Sequence, residues 1–123
     1  MINKIFLIDD DPITNFINKD IITELQLVQK MEIFTEAEAA LDDLRNVSSE
    51  DPNLILLDLN MPGLNGFDFI EALQDLPAAK ISHIKIVVLT SSKHIRDLKR
   101  LEQLGVGNIL NKPLTKEKML SVI

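Results

Sequence analysis

The chain has 123 residues, 46% of them hydrophobic, which suits one domain with a core of its own. Its net charge of −6 argues against a nucleic-acid-binding face, and the lack of cysteine excludes disulfides, thiol chemistry and a cysteine-held metal. Acidic residues arrive at Asp9, too early for a secretory signal, and no apolar stretch reaches the length of a membrane span. The expectation is a cytoplasmic protein that engages neither membrane nor nucleic acid.

Ile5-Phe6-Leu7-Ile8 is a continuous apolar run predicted as a buried strand, and it ends on Asp9-Asp10-Asp11. Asp11 is predicted to cap a helix with Pro12 at its first position. Ile13, Phe16, Ile17, Ile21 and Leu25 form the apolar stripe expected to face the core. Val28 to Phe34 reads as a weaker, shorter strand. Thr35-Glu36-Ala37-Glu38 has the spacing of a capping box, opening a helix buried through Ala37, Ala40, Leu41 and Leu44.

After a turn at Pro52, Leu54-Ile55-Leu56-Leu57 is a second continuous apolar run that ends on an aspartate, Asp58. The loop Asn60-Met61-Pro62-Gly63-Leu64-Asn65-Gly66 is dense in turn residues. A third helix is expected through Phe69, Ile70, Leu73 and Leu76, and a fourth strand from Ile84 to Leu89, followed by Thr90-Ser91-Ser92. Ile95, Leu98, Leu101 and Leu104 stripe a fourth helix that Gly105 stops. Asn108 to Leu110 is a brief fifth strand before Lys112-Pro113. Thr115 caps a last helix only a turn or two long, which suggests a trimmed or frayed end.

Strand and helix alternate throughout, which calls for right-handed crossovers between parallel strands. The expected fold is α/β: a doubly wound, five-stranded parallel sheet flanked by five helices, as a single domain over residues 1–123.

In such a sheet, ligands bind beyond the carboxyl ends of the strands. The first strand delivers Asp9 and Asp10 there, the third Asp58, the fourth Thr90 and the fifth Lys112. Each has an ordinary explanation alone: acidic loops cap helices, an aspartate before a Pro-Gly loop is a turn residue, and Lys-Pro is a solvated turn. Together they compose one site. Three carboxylates repel, and a hard divalent cation such as magnesium offsets that while accepting a phosphate. An aspartate nucleophile would then form a labile acyl phosphate, with Lys112 and Thr90 holding the phosphoryl oxygens.

The blocks Leu7-Ile8-Asp9-Asp10-Asp11, Leu57-Asp58-Leu59-Asn60-Met61-Pro62-Gly63 with Gly66, Val88-Leu89-Thr90-Ser91 and Lys112-Pro113 resemble the receiver domains of bacterial response regulators, of the chemotaxis type. The resemblance runs over essentially the whole chain. It implies the flavodoxin-like strand order 2-1-3-4-5, with Asp58 as phosphoacceptor. It implies that Asp10 binds magnesium directly, Asp9 mostly through water, and Asn60 through its backbone carbonyl. Thr90 becomes the switch hydroxyl and Lys112 the bridge to the phosphoryl group, with a cis bond before Pro113, and Gly66 permits a tight loop. The implied partner is a sensor histidine kinase or a histidine phosphotransfer protein, and phosphorylation would switch a binding surface and drive homodimer formation. The implied catalysis is confined to the domain's own phosphorylation and dephosphorylation.

The family often carries an aromatic residue three positions before the lysine; here it is Ile109, and the chain has no tyrosine. Asn60 and Ser92 occupy the two positions that, by the resemblance, family members use to tune phosphoryl lifetime. A dehalogenase-type phosphatase would want a second aspartate where Asn60 stands, its acidic pair last in the chain, and room for a cap domain. A receiver-like module that is never phosphorylated is opposed by the filled acidic, hydroxyl and lysine positions. His83 and His94 are expected at the surface, Asp68 and Glu71 near a helix start, Met61 in packing, and Arg96, Lys99, Arg100 and Glu102 on a solvated face. The sequence is consistent with a stand-alone regulator or a receiver cut from a longer chain.

Overall fold

A computed structural model describes residues 2–46, 52–61, 63–91 and 93–123. Pro62 and Ser92, both named among the sequence motifs, lie outside the described residues, as does Met1. The strands are β1 (Ile2–Ile8), β2 (Val28–Phe34), β3 (Leu54–Asp58), β4 (Lys85–Thr90) and β5 (Asn108–Asn111). They pair in parallel in the order β2-β1-β3-β4-β5. The helices are α1 (Pro12–Leu25), α2 (Ala37–Arg45), α3 (Gly66–Gln74), α4 (Ala78–Ile81), α5 (Ile95–Gln103) and α6 (Lys116–Leu120). Among the described residues, six helices stand where five were expected. The addition is α4, a single turn after Pro77, too short to leave a period in the sequence.

The apolar strands alternate between two cores because successive side chains point to opposite faces. Phe6, Ile8, Ile55, Leu57 and Val88 face α2, α3 and α5, which contribute Leu41, Leu44, Phe69, Ile70, Leu73 and Leu101. Ile5, Leu7, Leu54, Leu56, Val87 and Leu89 share the other core with Ile22 of α1 and Met119 of α6, joined by Leu114 before α6 and Val122 after it. Each fully buried side chain of this size contributes about 1.5–3 kcal/mol of transfer free energy. Both faces are covered, as the continuous apolar runs required.

Two helices are turned differently from their predicted stripes. On α1 the buried residues are Asn15, Asn18 and Ile22, while Ile13, Phe16 and Ile17 are 70%, 72% and 51% exposed. Ile21 and Leu25 do pack against the core. Both sets obey a helical period, so spacing alone did not choose between them; a hydrogen bond from the Asn15 side chain to the Asp9 carbonyl accompanies the observed orientation. On α5, Leu101 is buried and Leu104 packs on the core, but Ile95 and Leu98 are exposed.

The capping predictions divide. Asp11 caps α1, its carboxylate accepting from the Ile13 amide at 2.9 Å, with Pro12 at the first helical position. Thr115 caps α6 by accepting from Lys118. Gly105, with φ +82°, ends the α5 segment. The capping box at Thr35 does not form: α2 starts at Ala37, and its N-cap Glu36 makes no side-chain cap bond.

Candidate functional site

Strand register brings the expected residues to one edge. Ile8 pairs with Leu57, so the next positions, Asp9 and Asp58, meet where β1 ends. Asp58 pairs in turn with Leu89, and Thr90 with Asn111. Beyond that pair the Lys112 amide donates to the Thr90 carbonyl at 3.0 Å, turning the Lys112 side chain back over the sheet end. The Lys112-Pro113 peptide is cis.

One carboxylate oxygen each from Asp9, Asp10 and Asp58 lies within 4.8 Å of the others. Asp9 and Asp58 are buried and Asp10 is exposed. The Lys112 ammonium stands 3.2 Å from Asp9 Oδ2 and 3.2 Å from Asp58 Oδ1. The Asp11 amide donates to Asp9 Oδ1 at 3.0 Å, and the Asn60 amide approaches Asp58 Oδ1 at 3.4 Å. Thr90 is fully buried at the end of β4, next to the register partner of Asp58.

Burial raises the Asp58 carboxyl above the usual carboxylate range, and the neighbouring charge of Asp9 adds to it; Lys112 opposes both. Burial pulls the Lys112 ammonium down, but Asp58 and Asp9 outweigh it and leave its pKa above the usual lysine value. Lys112 alone therefore does not neutralise the pocket. Three carboxylates against one ammonium leave an excess of two negative charges among hard oxygen donors, which fits one magnesium ion.

The approach of α3 depends on Gly66. A Cβ there would sit 2.7 Å from the Leu59 Cα and 2.8 Å from the Asp58 carbonyl, while the Gly66 amide bonds the Leu59 carbonyl at 3.0 Å. Only a residue without a side chain lets the loop after Asp58 close this tightly. Asn65 then caps α3 by accepting from the Asp68 amide, a role the turn-rich loop concealed. Met61 is buried in packing, and His83 and His94 are exposed, as expected. Arg100 is more than a solvated charge: it lies over the Phe67 ring at 4.3 Å and pairs with Glu71 at 3.1 Å, tying α5 to α3. Ile109 is half-buried against the core beside Val88.

A family model of the response regulator receiver domain matches residues 5–123. The chain belongs to that family. This receiver domain is 28% identical over 120 residues to a probable chemotaxis protein CheY of Rhizobium etli, covering 98% of this chain and 88% of that one. It is 30% identical to a segment of hybrid signal transduction histidine kinase B of Dictyostelium discoideum, covering 97% of this chain but 6% of the kinase. A two-component response regulator from Cytophaga hutchinsonii superposes with a TM-score of 0.88 at 31% identity, over 98% of this chain and 93% of that one. Receiver domains are signalling modules of two-component systems, phosphorylated on an aspartate, and generally bind magnesium at an acidic pocket. They interact with histidine kinases or phosphotransfer proteins. Among the described residues no helix is long and apolar enough to cross a membrane.

Proposed function

We propose that residues 1–123 act as one cytoplasmic receiver domain that accepts a phosphoryl group on Asp58. The observation that carries this reading is the Lys112 ammonium set 3.2 Å from both Asp58 and Asp9, in a pocket left with excess negative charge. Asp10, the exposed member, is assigned as a direct magnesium ligand, Asp9 as a ligand mostly through water, and Asp58 and the Asn60 carbonyl complete the protein's share. Bound there, magnesium supplies charge neutralisation to the incoming phosphoryl oxygens.

The chain's own groups do the rest. An Asp58 oxygen attacks the phosphorus; the phosphorus–nitrogen bond to the donor histidine breaks, and the imidazole recovers its proton as it leaves. Lys112 holds a phosphoryl oxygen as a point charge and Thr90 donates its hydroxyl to another. Hydrolysis of the acyl phosphate by water resets Asp58.

Two exposed apolar surfaces support the partner assignments. Ile13, Phe16 and Ile17 form a crest on α1 beside the site, suited to a sensor histidine kinase or a histidine phosphotransfer protein. Ile95 and Leu98 on α5, with Leu120 at the end of α6 and Ile123 after it, neighbour the edge strand β5 in the chain and suit a homodimer formed on phosphorylation. With Ile109 in place of an aromatic ring, movement of Thr90 would reach that edge through aliphatic packing.

The test is intact mass after incubation with acetyl phosphate and magnesium. The reading expects one phosphoryl adduct, absent when magnesium is chelated and absent in Asp58→Asn. No adduct with any donor makes the chain a module that is never phosphorylated. Repeated turnover of free phosphomonoesters makes it a phosphatase.

A further inference from the structure

We infer that α1 holds a water in a small pocket beneath the paired carboxylates, and that Asn15 and Asn18 are positioning residues for Asp9 through it. Leu7 and Leu56 lie two residues before Asp9 and Asp58 on the same sheet face, and Leu89 is the register partner of Asp58. With Ile8, Leu57, Asn15 and Asn18, and with the two aspartates above, they line a cavity of about 10 Å³. That is the room one water needs.

Asn15 is 2% exposed, and its Nδ2 donates to the Asp9 carbonyl at 2.8 Å. A carbonyl only accepts, so this bond settles which end of the amide faces Asp9 and leaves Oδ1 turned away. Asn15 Oδ1 is buried and has no hydrogen-bond partner among the described residues. Buried acceptors in native proteins are overwhelmingly satisfied, by ordered water where protein does not reach. Apolar packing does not account for the residue choice either, since Ile22, further along the same face, is fully buried.

Asn18 is 6% exposed and lines both the cavity and the adjoining groove of about 150 Å³ formed with Thr14, Lys112 and Pro113. It borders both spaces, as does Leu89. A water there donates one proton to Asn15 Oδ1 and the other to a carboxylate above it, and accepts from the Asn18 amide. Asp9 is then held twice from below, at its carbonyl by Asn15 and at the cavity through the water.

The experiment uses the whole ¹⁵N-labelled chain without metal. Rotating-frame Overhauser peaks between long-lived water and the side-chain amides of Asn15 and Asn18 are expected, and the Asn18 peak should vanish in Asn15→Leu. Absence of such peaks at both amides in the unsubstituted chain overturns the site, and this arm needs no variant to fold. The second arm rests on the reading of Asp9 as a magnesium ligand, and follows a magnesium titration by backbone amide shifts. Folded Asn15→Leu is expected to weaken magnesium binding about tenfold, as loss of a group that orients a ligand does; unchanged affinity overturns the positioning role. If the unsubstituted chain binds no magnesium, the metal reading fails while the water site still stands or falls by its own peaks.

Discussion

Lys112 Nζ stands 3.2 Å from Asp58 Oδ1 and equally close to Asp9 Oδ2, so one half-buried ammonium serves two buried carboxylates. The balance of charge at this point governs both stability and reactivity.

Asp58→Asn should make the metal-free protein more stable at neutral pH, by a few degrees in midpoint. The folded pKa of Asp58 is raised by burial and by Asp9, so its ionised form is the one that the fold disfavours. That cost is present above the folded pKa and fades as pH falls through it. The gain from Asp58→Asn should therefore shrink on acidification, and also on adding magnesium at neutral pH. Thermal melts followed by circular dichroism check both.

Lys112→Met should act in the opposite sense. It leaves Asp9 and Asp58 facing each other uncompensated and should cost roughly 1–3 kcal/mol without metal, below the cost of breaking a fully buried pair because the Lys112 side chain is 27% exposed. Because the folded Lys112 pKa is raised, its contribution is complete below the ordinary lysine pKa and is lost as pH rises through the folded value. Urea unfolding at neutral and strongly alkaline pH should show the difference between the two proteins narrowing at the alkaline end.

Gly66→Ala forces a Cβ to 2.7 Å from the Leu59 Cα and 2.8 Å from the Asp58 carbonyl, both backbone atoms that yield only by moving the loop. About 1–3 kcal/mol of stability should be lost. Phosphorylation by acetyl phosphate should slow as well, because the displaced atoms belong to Asp58 and its neighbour.

Phe16→Ser and Ile22→Ala distinguish the observed face of α1 from the predicted one. Phe16 is exposed, so its replacement should change stability by no more than about 0.5 kcal/mol. Ile22 is fully buried, and truncating it should cost about 2–5 kcal/mol. The reverse ranking in denaturant melts would restore the predicted stripe.

The sheet and the charged end of it were legible because continuous apolar runs stop on Asp9, Asp58, Thr90 and near Lys112, and parallel register carries those ends together. Rotation of the surrounding helices was not legible in the same way. Ile13, Phe16 and Ile17 share a helical period with Asn15, Asn18 and Ile22, and hydrophobicity alone points to the wrong set. What accompanies the observed rotation is a side-chain bond from Asn15 to the Asp9 carbonyl, a pairing of backbone and amide that no pattern of apolar residues reveals. The one-turn α4 escaped for want of length, and Thr35 mimicked a cap because spacing does not show where the chain turns helical. Arg100 looked like any exposed base until α3 and α5 were placed side by side.

The most direct test of the central claim is chemical mapping of the phosphorylated residue. Protein treated with acetyl phosphate and magnesium is reduced with borohydride, which converts an aspartyl phosphate to homoserine, then digested and sequenced by mass spectrometry. Homoserine at position 58, absent when magnesium is chelated, is the expected result. Homoserine at Asp9, Asp10 or elsewhere, or none with any phosphodonor, would contradict the assignment of Asp58.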